Sequence, residues 1–459
     1  MPRSRRSLTV ALLPALCLAT LAVASAWGQT AAPATPPAAP AAAPAASPAD
    51  ARAQENQAKI DALRAVVEKD YVIGPAVAND LGFRVAWQAR IPSQGGATLS
   101  KARAIGEGIF ALDSRNGLIR LRPTDGEQLW RVSVAGPVDI FRGAHWIDVP
   151  ANVVLVSGRV TKGTETCVYL STDTDCFVLD AASGSLLKKH HFEKLPSTPP
   201  VKAGRCLVYG TLGGQVVWVN YLVGYEWRAN STNSPIRSAL AQDNGSIVAV
   251  SDKGMVLCLD EDTAKRRWAR ECYGAVTTAP AMGANRVYVS SMDQYLWAFN
   301  AQTGKVEWKY FTQSPLTTSP FAFGDAVLQY VPGEGLVCLA ADSGGKVEGN
   351  VRWKTAAAVG YPVGVIGDRI ALWNTDNRML TLVDSSNGSL VSTHDLRQVD
   401  DMQFVTAGAF AGDIMALNSD GRVVRLTPQN ASHPELTRMP ANGVAAPATG
   451  AGMAPASNP

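Results

Sequence analysis

One phrase recurs along this chain: a short run of β-type residues, an acidic or amide turn often ending in glycine, then a tryptophan. The clearest copies are Tyr295-Leu-Trp-Ala-Phe-Asn-Ala-Gln-Thr-Gly-Lys-Val-Glu-Trp308 and Val256-Leu-Cys-Leu-Asp-Glu-Asp-Thr-Ala-Lys-Arg-Arg-Trp268. A period of about 40 residues with a fixed internal order marks a repeat architecture, in which each unit buries its faces against its neighbours. With units built of short strands and tight turns, that architecture is a β-propeller.

The register follows from aligning the residue that falls where Trp308 does. Those positions are Trp87, Trp130, Lys188, Trp227, Trp268, Trp308, Trp353 and Ser392, at intervals of 43, 58, 39, 41, 40, 45 and 39 residues. The 58 and the 45 mark insertions. A glycine stands four residues before the marker at Gly126, Gly184, Gly304 and Gly388, where a tight hairpin turn needs positive φ. The marker therefore opens the strand after a turn.

The preceding strand is legible eight times, beginning at Leu118, Phe177, Val216, Val256, Leu296, Leu336, Leu380 and Val423. Phe83 to Ile91 reads as a last strand with no blade before it, and the segment from Asp413 to Thr427 as a blade lacking its last strand. Joined, they make an eighth blade, so the propeller runs over 81–428 and is all-β, closed by an N-terminal strand. Closure leaves no open end to the ring. Ser/Thr-Pro cues at Thr277 to Pro280, Thr317 to Pro320 and Ser197 to Pro199 mark lead-in strands, where proline is tolerated at a strand start.

Upstream, Arg3, Arg5 and Arg6 precede an apolar run from Leu8 to Val23 and small residues at Ala24 and Ala26. This is the pattern of a signal peptide over 1–26, with cleavage after Ala26 or Gly28. The run is short for a membrane span and is interrupted by Pro14, so no span is expected after its removal. Cys17 lies within the run and reads as part of it. Residues 27–49 form an Ala/Pro-rich linker that behaves as an extended spacer. A helical segment over 50–70 carries Ile60, Leu63 and Val67 on one narrow stripe, which is expected to dock, on its own propeller ahead of a partner. Residues 436–459 are an Ala/Pro/Gly tail of disordered composition.

The full chain has 42 basic and 39 acidic residues, and without the three leader arginines the two balance at 39. A neutral protein has no overall electrostatic reason to seek nucleic acid or an anionic membrane. Export permits disulfides, and Cys167 with Cys176 could face each other across a hairpin; Cys258 with Cys272 is the weaker pair. Buried thiols are the competing reading. His145, His190, His191, His394 and His433 show no metal-ligand spacing. Asp252, Asp260 and Asp293 fall where aspartate is ordinary turn chemistry. Neither a nucleophile elbow nor a phosphate-cradling glycine loop is present.

The Ala298 to Trp308 copy resembles the repeat of the pyrroloquinoline-quinone-type propellers, over roughly residues 81–428. Within that superfamily the chain is most similar to the outer-membrane assembly factor family, BamB. The resemblance implies eight blades with tryptophans docked between them, here Trp87, Trp130, Trp227, Trp268, Trp308 and Trp353. It implies a non-catalytic, periplasmic interaction scaffold with no cofactor, whose partner belongs to the outer-membrane assembly machinery. One rim would dock a partner domain, and extended segments could add to exposed strand edges. The chain departs from the family in lacking a lipoprotein cysteine and in its long linker.

A quinone-dependent dehydrogenase on the same ring is the first alternative. Those enzymes resemble each other in a vicinal Cys-Cys pair and a calcium site, whereas the closest cysteines here are nine apart. An envelope adhesion or glycan-binding propeller is the second, and would need exposed aromatics on loops. The largest insertion, within residues 136–175, offers Phe141, His145 and Trp146 as candidate partner-binding residues. Trp146 as a strand residue in a stretched blade is the competing reading. The insertion from Gly344 to Asn350 reads as a lengthened turn.

Overall fold

The structure is a computed structural model that describes residues 48–153 and 160–430. The leader, the linker up to residue 47 and the tail lie outside them. Contacts divide the chain into two units, Met1–Lys59 and Ile60–Pro459. In the first, the described residues are helical, with a Lys59–Glu55 pair one turn apart at 2.7 Å.

The second unit holds the propeller. Its described residues form eight four-stranded antiparallel sheets. Blades 1 to 7 span 99–132, 141–191, 201–231, 241–271, 281–311, 321–355 and 361–395. Blade 8 takes three strands from 401–428 and its outer strand from Phe83–Arg90, which pairs antiparallel with Arg422–Pro428. First strands touch between blades 1 and 2, 4 and 5, 5 and 6, 7 and 8, and 8 and 1. Second and third strands are buried on both faces, as in Ser246–Val250 and Met255–Asp260, so they read in sequence as near-continuous apolar runs.

Blades are joined by indoles. From the outer strand of one blade, Nε1 of Trp268, Trp308, Trp353, Trp130 and Trp87 donates to Ala301, Ala341, Ser385, Ala181 and Pro123 of the next, at 2.8 to 3.0 Å. Each acceptor begins the turn between the third and fourth strands. The turn glycine explains itself here: a Cβ on Gly304 would lie 2.5 Å from the Trp268 ring. Glycine is needed there for its φ of 67° and for the close approach.

Three junctions lack that indole: blade 7 has Ser392 at the position, its hydroxyl 2.9 Å from His394 Nε2, and blades 3 and 2 are built differently. In blade 3 the residue in register with Trp308 is Arg228, which faces Trp218; Trp227 is the extra residue of a β-bulge. A bulge turns its residue out of the ladder, and Trp227 is 42 % exposed. Trp227 therefore does not dock. Trp218 on the adjacent third strand is fully buried and donates to Glu261 O at 3.2 Å, the carbonyl equivalent to Ala301 O. At the corresponding turn position Ala264, not glycine, holds a φ of 53°.

The blade 2 to 3 junction carries Lys188 instead of an indole. The Tyr169 hydroxyl reaches Tyr221 O at 3.4 Å, and the His190 ring lies against Gly224. A cavity of about 50 Å³ remains between these groups, Phe192 and Tyr209. Ring closure is reinforced by the buried Arg425–Asp413 ion pair at 2.8 Å, with Arg425 also donating to Pro123 O at 2.8 Å.

The helix Pro48–Asp70 does not dock through its stripe: Ile60, Leu63 and Val67 are exposed. What packs on blades 7 and 8 is the segment after it, through Val72, Ile73, Ala78 and Leu81. The Gln88 side-chain amide secures that segment, its Oε1 accepting from Val72 N and its Nε2 donating to Asp70 O, so the apolar anchoring lies beyond the stripe. Cys167 lies opposite Asp180 and Cys176 opposite Ser171, so the two sit four rungs apart rather than face to face. Burial pushes the Cys176 thiol up to about 12, which keeps it unreactive.

Candidate partner-docking face

In an antiparallel blade, the turn between second and third strands and the connection to the next blade emerge at the same end. Hydrogen bonds tie them together there: Asp173 N to Ile140 O at 3.0 Å, Met292 N to Ala275 O at 2.9 Å, and Asp252 N to Pro235 O at 3.0 Å. This end of the ring carries apolar side chains in solvent. Val138, Ile140, Leu195, Leu212, Tyr273 and Met292 are all exposed. Exposed apolar residues grouped on one face make that face a candidate contact surface.

Around blades 2 and 3 that surface opens into a groove of about 360 Å³. Leu195, Pro196 and Leu212 form its apolar rim, and Arg142, Asp173, Lys194 and Gln215 stand in its polar lining, with Asp173 accepting from Ile140 N. The sequence builds it locally. Arg142 is the extra residue of a bulge at the start of strand Phe141–Val149, since Phe141 pairs with Thr172 and Gly143 with Ser171. The bulge aims its side chain away from the ladder. Lys194 is neutralised by Glu226, and Ser197 is held by Ile236 O and Gly210 O. Arg142 has no hydrogen-bond or ion-pair partner among the described residues, and its Nε is buried. An unpaired guanidinium in a partly dry groove favours a carboxylate, which it can take bidentately.

The three candidate residues from the insertion lie elsewhere. All belong to the innermost strand of blade 2 rather than to a loop. Trp146 packs between blades 1 and 2, 6.2 Å from Phe110 and 5.2 Å from the Arg120 guanidinium. Phe141 joins the same cluster, with the Lys101 amine 5.4 Å from its ring. Burial of His145, aided by Lys202 and opposed by the Pro200 backbone, pulls its pKa down to about 4. It is neutral at pH 7. Sequence reasoning thus reached the neighbours of Arg142 and missed Arg142 itself. No three His, Cys, Asp or Glu side chains gather as metal ligands among the described residues. No helix among them is long and apolar enough to cross a membrane.

Comparison with known proteins adds to this geometry. A family model described as outer membrane protein assembly factor BamB matches residues 178–348, from the third strand of blade 2 into blade 6. The chain is 30 % identical to BamB of Burkholderia pseudomallei over 176 residues, covering 37 % of this chain and 44 % of that one. It is 27 % identical to BamB of Bordetella pertussis over 165 residues, covering 35 % and 41 %. The aligned part thus spans less than half the length of either relative. Among solved structures, BamB of Moraxella catarrhalis superposes with a TM-score of 0.54 at 16 % identity, over 76 % of this chain and 99 % of that one. The computationally designed Ika8 protein gives 0.55 at 14 % identity, over 75 % and 99 %. These superpositions establish the fold. The chain is a PQQ-like repeat propeller similar to BamB.

Proposed function

We propose that this propeller is a non-catalytic scaffold outside the cytoplasm that assists outer-membrane protein assembly by docking a protein partner on the face around blades 2 and 3. The observation that carries this reading is the match of residues 178–348 to the assembly-factor model, a stretch that includes Lys194, Leu195 and Leu212. The groove supports it with binding chemistry. An apolar rim would exclude water around a partner's apolar side chains, and the Arg142 guanidinium would take one partner carboxylate. The leader read from residues 1–26 supports an extracytoplasmic site of action.

The test is affinity purification from cross-linked cell envelopes with quantitative mass spectrometry. The full chain recovers the outer-membrane assembly barrel, and Arg142→Glu and Leu195→Asp reduce that recovery about tenfold or more, as loss of a central anchor does. Undiminished recovery with both variants would overturn the site. Oxidation of alcohols or sugars by purified protein with added quinone and calcium would overturn the scaffold class.

A further inference from the structure

On the outer part of blade 5 four aromatic rings stand in a row. Centroids of Phe311 and Tyr295 are 5.1 Å apart, Tyr295 and Trp297 5.8 Å, and Trp297 and Tyr273 5.7 Å. Asp293 fixes the far end, accepting from Trp297 Nε1 and from Tyr273 N, each at 3.0 Å. Tyr273 is 85 % and Phe311 46 % exposed, so both ends of the row present rings to solvent. The Lys309 amine lies 4.5 Å from the Tyr295 centroid and 5.4 Å from that of Trp297. No acid stands within ion-pair distance of it among the described residues.

The insertion in blade 6 completes the site. Rather than a plain lengthened turn, it crosses to the outer strand of blade 5, where Lys309 N donates to Val347 O and Gly349 N to Lys309 O, both at 3.0 Å. Val347 and Glu348 thereby wall a cavity of about 220 Å³ whose other lining is Tyr295, Lys309 and Phe311. Lys309 and Glu348 carry opposite charges, share one cavity and do not pair with each other.

We infer that this groove binds a saccharide, as one or more pyranose units of a glycan chain. A pyranose has apolar C–H faces and a rim of hydroxyls, and the groove matches both. The Phe311 and Tyr295 rings that line it offer an apolar surface backed by the buried Trp297, while the amine and carboxylate give charge-assisted hydrogen bonds to hydroxyls. An added peptide strand is disfavoured here on geometry: the insertion already uses the N–H and C=O of Lys309, the groups an incoming strand would need. The site is separate from the blade 2 and 3 groove and stands independently of it.

Saturation-transfer NMR on the full chain tests this with chitotetraose and cellotetraose at millimolar concentration. At least one sugar receives saturation on its ring protons, with apparent affinity about tenfold weaker in Phe311→Ala and in Lys309→Met. Trp227→Ala, an exposed aromatic on blade 3, leaves it unchanged. Lys309→Met keeps the side chain's apolar length and serves if Phe311→Ala folds poorly. Absence of transfer from both sugars overturns the assignment, as does equal loss in Trp227→Ala.

Discussion

Trp218 and Trp227 provide a sharp contrast, because the repeat and the three-dimensional structure rank them oppositely. By repeat position Trp227 is a docking tryptophan and Trp218 an ordinary strand residue. In the ring, Trp218 is fully buried between blades 3 and 4 and donates to Glu261 O, whereas Trp227 stands on a bulge with its ring 5.5 Å from the Arg228 guanidinium. A buried indole removes about 200 Å² from water, worth about 5 kcal/mol at 25 cal/mol/Å². Truncating such residues costs about 3–5 kcal/mol, and the orphaned Glu261 carbonyl adds to it. Trp218→Ala should therefore cost about 4–5 kcal/mol and Trp227→Ala about 1 kcal/mol or less. At roughly 2 °C per kcal/mol for a domain of this size, the melting temperature falls about 8–10 °C in the first case and about 2 °C or less in the second. Differential scanning fluorimetry with parallel urea titrations reads both. Equal losses, or a larger loss for Trp227→Ala, would refute the swap.

Other perturbations follow from the same junctions. Gly304→Ala forces a side chain into positive φ against the Trp268 ring and should cost about 3 kcal/mol. Ala264→Gly relieves a similar φ while losing a buried methyl, and should stay within about 1 kcal/mol of wild type; urea midpoints measure both. Arg425→Met removes the cation paired with buried Asp413 and the donor to Pro123 O, and should cost about 3–5 kcal/mol, read as faster proteolysis at the blade 8 to 1 seam. The depressed His145 pKa makes stability pH-dependent: the unfolded chain takes up the proton first as pH falls. Its contribution is intact above about 6.5 and lost between there and about 4, in total about 3 kcal/mol. Unfolding free energies at pH 7 and 4.5 should differ less in His145→Gln by most of that amount. Asp260, held at about 2 by Arg267 and Thr263, acts in a lower window, losing its contribution only as pH falls below the ordinary carboxylate range.

The ring itself was open to inspection in the sequence, since apolar runs, turn glycines and tryptophans recur with one period and neighbouring blades impose the same constraints on each. The terminal copies, Phe83 to Ile91 and Asp413 to Thr427, are each incomplete in a complementary way, and the pairing of Trp87 with Arg425 is their meeting point. At blade 3 the chemically conspicuous residue misled. Gly224 stands four before Arg228, as Gly304 does before Trp308, so the turn marks Arg228 as the register position although the indole sits one residue earlier. The docking face was harder to see because its groups come from distant segments. Arg142 points into the groove only because a bulge displaces it, and bulges leave no clear mark in a single sequence. Leu212 did leave one: it occupies the turn position held by Asp252 in blade 4 and by Met292 in blade 5, and an apolar residue there stands in solvent unless a partner covers it. The aromatic row on blade 5 depends on the insertion folding back across a blade boundary, which spacing alone does not encode.

The most direct test of the central claim is site-specific photo-crosslinking in living cells from positions 195 and 212, with position 391 on the outer strand of blade 7 as control. Adducts with the outer-membrane assembly barrel are expected from 195 and 212 and none from 391. Adducts of equal yield from all three positions, or none from 195 and 212 while the barrel is captured from 391, would contradict the claim.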